Sequence, residues 1–438
     1  MGGQAFASGE DPLYTPRMSP AAYQHVLNYC HTKLRELFVA VATPIPGPAK
    51  DSYGDIDIFV TWEKNTIFPS SQAINPLSPI ASPNHDILQA AAQLLNAKRH
   101  IREQQNVINL AIPWPDNLHE ETSTDNSQLN GDAVAPRYIQ VDLHLCDSIE
   151  QLQWMLVRNS HGGVLLLIGS TIRPYGLTLS EHGLYIRIPE IESLNKKQGK
   201  ILLSDDPIAV FDFLGLDYQG TQWEEPFASV EELFEYAATC RFFWVRPAED
   251  DGLNGGGEVD QSKMHSKERQ TMRQHPFFRK WVHEFIPACR ESGRIGTTTA
   301  TRDSVRAEAF ARFPGAQQAY ETRLLEWRKE QQRVWLFRGV IKPAVPRVEG
   351  EEPSQVDMMW RSKAGNALKK IIMQDDYKLG IRPSTPLRDE TGMYDEERVK
   401  QFVIDNWKQV EEAVQRADRI QCAKKKEAKE AKEAEGIS

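Results

Sequence analysis

The chain has 438 residues, more than one compact core usually holds, so two domains with irregular insertions are expected. Its 40% hydrophobic and 26% charged residues are ordinary for a globular chain, and its apolar runs, such as 37–42 and 164–168, fall far short of the roughly 20 residues a bilayer span needs. A formal charge of −9 argues against whole-surface binding to nucleic acid, yet residues 260–350 carry 18 Lys/Arg against 10 Asp/Glu and leave room for a local polyanion surface.

The five cysteines, Cys30, Cys146, Cys240, Cys289 and Cys422, lie far apart with no CxxC pair, which argues against a zinc knuckle or a disulfide framework. Residues 1–11 show neither a basic n-region nor an apolar h-region, so the expectation is a cytoplasmic or nuclear protein with no membrane partner.

Ser19-Pro20 has the form of an N-cap and first helical position. Tyr23, Val26, Leu27, Cys30, Leu34, Leu37 and Phe38 follow at three- and four-residue spacing, which predicts an amphipathic helix. A short strand over 38–41 comes next, then Pro44-Ile45-Pro46-Gly47-Pro48, which its prolines keep out of helix and ladder. Residues 56–62 read as a second strand, 63–86 as a Pro/Ser/Asn-rich insertion, 86–102 as a helix, and 116–136 as a mobile polar loop before a strand at 138–145.

From 149 to 188 the pattern predicts a helix, an apolar helix over 165–172, a break at Gly176, and a hairpin pairing 177–179 with 184–186. Beyond Asp217 come long helical segments rich in Arg and aromatic residues. They are interrupted by a linker at 250–257 and end in an Ala/Lys/Glu tail over 424–435 with no apolar stripe.

The chemistry concentrates in Gly54-Asp55-Ile56-Asp57-Ile58-Phe59-Val60. Two acids at i and i+2 on a strand emerge from one face, while Ile56, Ile58 and Val60 point into a core. Like charges side by side repel, and a divalent cation is the economical way to neutralise them. Hard cations such as Mg2+ take carboxylate and phosphate oxygens, and a two-metal site needs a further carboxylate from a neighbouring strand. In 138–145 the alternation turns Val141, Leu143 and Leu145 one way and Asp142 and His144 the other, which supplies it. An isolated Asp-x-Asp is often only a turn or surface pair; here Gly54 gives close backbone access for a phosphate, and the third acid follows in order.

GDIDIFV followed by VDLHL resembles the palm of the DNA polymerase beta-like nucleotidyltransferase superfamily, with a strand bearing Asp-x-Asp and a later strand bearing one Asp. Val157-Arg158-Asn159-Ser160-His161 is similar in position to the nucleotide-contacting turn of family X polymerases. The run LLLIGSTIRPYGLTLSEHGLYI resembles their thumb helix and hairpin, and residues 207–218 the segment that closes the thumb. The likeness covers roughly 20–225 and rests on three motifs in order.

The resemblance implies an α+β fold: a nucleotidyltransferase palm of mixed sheet flanked by helices over 1–146, a thumb-like segment over 147–225, a mainly helical basic region over 226–422 and a charged tail over 423–438. It also implies transfer of a nucleoside monophosphate from an NTP to a hydroxyl acceptor. Asp55, Asp57 and Asp142 would be the catalytic residues, holding Mg2+ or Mn2+.

Two features depart from the superfamily pattern. The glycine-serine pair expected about ten residues before Asp-x-Asp is replaced by Ile45-Pro46-Gly47-Pro48, and Gly2-Gly3 lies far upstream. No helix-hairpin-helix or lyase-type module is visible. Lys50, Ser52 and Gly54 are candidate triphosphate contacts, and Arg158, Ser160 and His161 candidate nucleotide contacts, each with a plainer reading as a loop, surface-pair or capping residue.

Arg269, Arg273, Arg279, Lys280, Arg302 and Arg306, interleaved with Phe277, Phe278, Trp281 and Phe310, are a candidate RNA or DNA surface or, more plainly, the solvated face of a helical domain. The competing functional reading is a catalytically silent nucleotide- or RNA-binding scaffold, which the retention of all three carboxylates argues against.

Overall fold

A computed structural model of the chain describes residues 3–9, 11–67, 86–116, 136–180, 182–218, 220–245, 271–272, 275–294, 300–345 and 354–435. The expected loops at 116–136 and 250–257, most of the 63–86 insertion, and Arg269 and Arg273 lie outside the described residues. The chain divides into a unit ending at Gln317 and a second beginning at Gln318.

The first unit is built on a five-stranded mixed sheet, in the order β1 (Phe38–Ala42), β2 (Asp55–Glu63), β5 (Tyr138–Leu145), β4 (Val107–Pro113) and β3 (Arg99–Gln104). The β2–β5 pair is parallel and the other pairs are antiparallel. Helix α1 (Pro20–Leu34) starts where expected: Ser19 accepts a hydrogen bond from the Ala22 amide, and Pro20 occupies the first turn, where a missing N–H costs nothing.

Tyr23, Val26, Cys30 and Leu34 of α1, with Leu88 and Ala91 of the helix Ile87–Leu94 and its C-cap Leu95, bury one face of the sheet through Ile56, Ile58, Val60, Leu110, Val141 and Leu143. The strand period of two therefore turns Asp55, Asp57, Gln140 and Asp142 to the opposite face. At one end of that face Phe59 packs with Cys146 and Leu152 of the helix Ile149–Asn159, which Ser148 caps by accepting from the Gln151 amide.

One expected element is corrected. The helix predicted over 86–102 spans only Ile87–Leu94; Asn96 takes φ 52°, and the chain returns as β3 and β4, with Val107–Pro113 next to β5. The local helical pattern loses to pairing with β5, which buries Ile108, Leu110 and Ile112.

The expected apolar helix is present at Val164–Ile172, and the hairpin is β6 (Leu177–Ser180) with β7 (Gly183–Arg187). A third strand, β8 (Lys200–Ser204), extends it. Trp154 ties the helix to the hairpin by donating from Nε1 to the Ser180 carbonyl at 2.8 Å.

The second unit is helical. Leu336, Val340 and Ile341 pack with Leu368, Ile371 and Ile372 of helix Gln355–Gln374 and with Val399, Phe402, Val403 and Val410 of helix Glu396–Glu435. Among the described residues no helix is long and apolar enough to cross a membrane.

Candidate active site

Asp57 and Asp142 are direct partners in the parallel pair of β2 and β5, and Asp55 sits two residues before Asp57, opposite Gln140. The three carboxylates thus share one face of two adjacent strands, which run about 4.8 Å apart. Burial first, then the Asp55 charge, raise the Asp57 carboxyl to about 6 against the pull of Lys50. Burial first, with Asp57, Asp55 and Glu103 adding to it, raises the Asp142 carboxyl to about 7 against the hydrogen bond from the Gln140 amide. Holding Asp57 and Asp142 ionised is costly for this chain alone, and a cation at the face would relieve that cost.

Further groups act on the acids. His144 Nε2 lies 3.9 Å from Asp57 Oδ1, and burial lowers its pKa, which favours the neutral imidazole. Asn109, the β4 partner of Asp142, donates from Nδ2 to Glu103 Oε1 at 2.8 Å. Tyr23 and Tyr53 stack with centroids 3.9 Å apart; burial, then Tyr53, Asp57 and Asp55, hold the Tyr23 hydroxyl protonated. Lys50 Nζ lies 4.8 Å from the Tyr53 ring centroid, so its charge stays beside the acids.

Of the residues singled out in the sequence, Asp55, Asp57, Asp142, Lys50 and Gly54 come together here. Ser52 lies at the rim, where its Oγ accepts from Arg17 Nε at 2.8 Å and its carbonyl from a terminal Arg17 nitrogen at 2.7 Å. Arg158, near the end of helix Ile149–Asn159, acts electrostatically on His144.

Ser160 and His161, expected at the nucleotide, are buried in a different role. Ser160 Oγ accepts from the Ile45 amide at 3.0 Å, and the His161 amide donates to the Ile45 carbonyl at 2.7 Å. The His161 ring is fully enclosed, donates from Nε2 to the Trp223 carbonyl at 2.8 Å, and meets Trp223 and Phe227 edge-on. Gly47 and Gly162 pack backbone to backbone, and a Cβ on either would come within 3.1 Å of the other's Cα, a tight fit. The 45–47 segment is therefore clamped onto the turn at 160–162.

Sequence reasoning missed Gln140, Asn109 and Glu103. Gln140 was within its reach, because a residue two before Asp142 on a strand shares its face.

Among the described residues no group of three or more His, Cys, Asp and Glu side chains is assembled as a ready metal cage. The donor set still fits a hard cation. All three groups are carboxylates, and Mg2+ typically takes one or two of these together with waters and substrate phosphates, without needing an all-protein cage.

Of the basic and aromatic residues beyond 260, Trp281 is buried and packs against Phe234, Phe243 and Phe285. Arg302 pairs with Glu192 and Arg306 with Asp303, at 2.7 and 2.9 Å.

No family model and no curated protein matches the chain. Solved structures with a similar fold include the ternary P/T complex of Leishmania infantum polymerase beta, with 14% identity, 47% of this chain and 75% of that chain covered, and a TM-score of 0.31. The ternary gap complex of the same polymerase gives the same identity, coverage of this chain and TM-score, over 69% of its own length. The likeness is distant and confined to the fold.

Proposed function

We propose that the acid face is a metal-dependent nucleotidyl-transfer site, moving a nucleoside monophosphate from an NTP to a hydroxyl acceptor. The observation that carries this reading is the register itself: Asp57 opposite Asp142, with Asp55 two residues earlier on the same face. Asp55 and Asp57 would hold Mg2+ or Mn2+, and Asp142 would help accept the proton of the attacking hydroxyl. When bound there, a divalent cation would supply charge stabilisation of the phosphoryl group and of the attacking and leaving oxygens.

Lys50 adds a positive charge beside Asp57 that would meet the triphosphate, and Gly54 offers backbone free of a side chain. Phosphoryl transfer asks little more of the protein than such positioning and electrostatics. The acceptor is a hydroxyl, and an RNA or DNA 3′ end is the first to try. Pyrophosphate release from each NTP with Mg2+ or Mn2+, with and without RNA, tests the reading: release by the unmodified protein that is lost in Asp57→Asn supports it, and no release under any of these conditions overturns it.

A further inference from the structure

Gly3 and Ala5 of the N-terminal segment meet the acid face. The Gly3 amide donates to Asp55 Oδ2 at 3.2 Å, and the Ala5 amide to Gln140 Oε1 at 2.9 Å. Gln140, 4% exposed, then donates from Nε2 to both oxygens of Asp142, at 2.8 and 3.1 Å. Gly3 sits at φ 82° against Gly54, where any Cβ would run into the Gly54 carbonyl oxygen.

The segment is pinned along its length. Phe6 is fully buried, and its carbonyl accepts from the Leu13 amide at 2.9 Å. Thr15 Oγ1 donates to the Gly3 carbonyl at 2.8 Å, and the Tyr138 amide donates to the Tyr14 carbonyl at 2.9 Å.

We infer that Gly3, Ala5 and Gln140 are positioning residues of the acid face: two backbone amides of the N-terminal segment, one acting through the Gln140 side chain, orient Asp55 and Asp142 toward a divalent cation. This rests on the metal reading proposed above. A carboxylate offers about four lone-pair directions, so one amide on Asp55 and one side-chain amide on Asp142 orient each group and leave other directions for a cation. Partners of this kind around metal-ligating carboxylates typically change metal affinity about 10- to 100-fold when removed. The fully buried Phe6 and the bonds on either side of it mark a fixed fitting, in contrast to a cover that lifts away.

The test is Mn2+ binding to the full chain without nucleotide, followed through the electron paramagnetic resonance signal of free Mn2+. Ala5→Pro removes the donor to Gln140. Gln140→Leu removes the amide at similar length, and carries the test alone if proline disturbs folding. Ser8→Ala, at an exposed position of the same segment, is the control.

The expected result is Mn2+ affinity lowered about 10- to 100-fold in Ala5→Pro and Gln140→Leu but not in Ser8→Ala, with unchanged circular dichroism. Unchanged affinity overturns the positioning role and leaves the metal site standing. Tighter binding overturns it too, since it makes the segment a plug. Absence of Mn2+ binding in the unmodified protein overturns both readings. Binding that weakens as expected in a protein that turns over no NTP upholds the positioning role and removes only the transfer reading.

Discussion

Asp57 and Asp142 face each other across the parallel β2–β5 strand pair of the five-stranded sheet. Substituting Asp55, Asp57 or Asp142 singly with Asn keeps size and removes one charge. Each change is expected to lower the rate of pyrophosphate release by about a thousandfold or more. Stability of the metal-free protein should hold or rise, because repulsion among the remaining acids is relieved. Unfolding curves in EDTA beside rates in Mg2+ check both halves. Destabilised variants with residual activity would mean that the acids are structural.

The same crowding sets a pH dependence. Burial, with Asp55 next, raises Asp57 to about 6, and burial raises Asp142 to about 7, both from 3.8. Between about pH 4 and pH 7 the folded protein therefore holds protons that the unfolded chain has released, and its stability falls as pH rises through that window. The Asp57 side chain is 45% exposed, so water screens part of the penalty. The thermal midpoint in EDTA is expected to drop from pH 5 to pH 8, less so in Asp57→Asn and less so with Mn2+ present, because the cation binds the folded state. A midpoint that rises over this range in EDTA would contradict the assignment.

His161 separates packing from binding. Removing its ring in His161→Ala leaves the Trp223 carbonyl unpaired and a cavity beside Phe227. The expected cost is about 2–4 kcal/mol of stability, measured by urea unfolding. Mn2+ affinity should stay within about twofold of the unmodified protein, since the ring is enclosed away from solvent.

The helix Glu396–Glu435 runs past its last buried contacts, and residues 420–427 are exposed all round. Deleting residues 423–438 is expected to shift the thermal midpoint by no more than about 1 °C, because no apolar stripe is lost. A shift of several degrees would show that the tail docks.

Much of the acid face was legible because its signal is local. A period of two in 55–60 and 138–145 places each acid by alternation alone, and the Ser19-Pro20 cap marks the start of α1. β4 was not legible, since Val107–Pro113 is buried in succession through 108–112 and carries no alternation to separate strand from buried helix. His161 misleads for a related reason. A histidine before two glycines looks like an exposed loop, and only the distant Trp223 and Phe227 enclose it. The contacts of Gly3 and Ala5 have no local signature at all, because their partners lie 52 and 135 residues away.

That separation orders events during synthesis. Ala5 leaves the ribosome 135 residues before Gln140, and a pairing so distant in sequence forms slowly, because loop closure must precede any gain from the contact. A nascent chain that stops short of β5 presents Asp55 and Asp57 without Asp142, without Gln140, and without the neighbouring strand that fixes β2. On the nucleotidyl-transfer reading, interrupted translation products should therefore be inert toward nucleotides until the sheet has closed around β5.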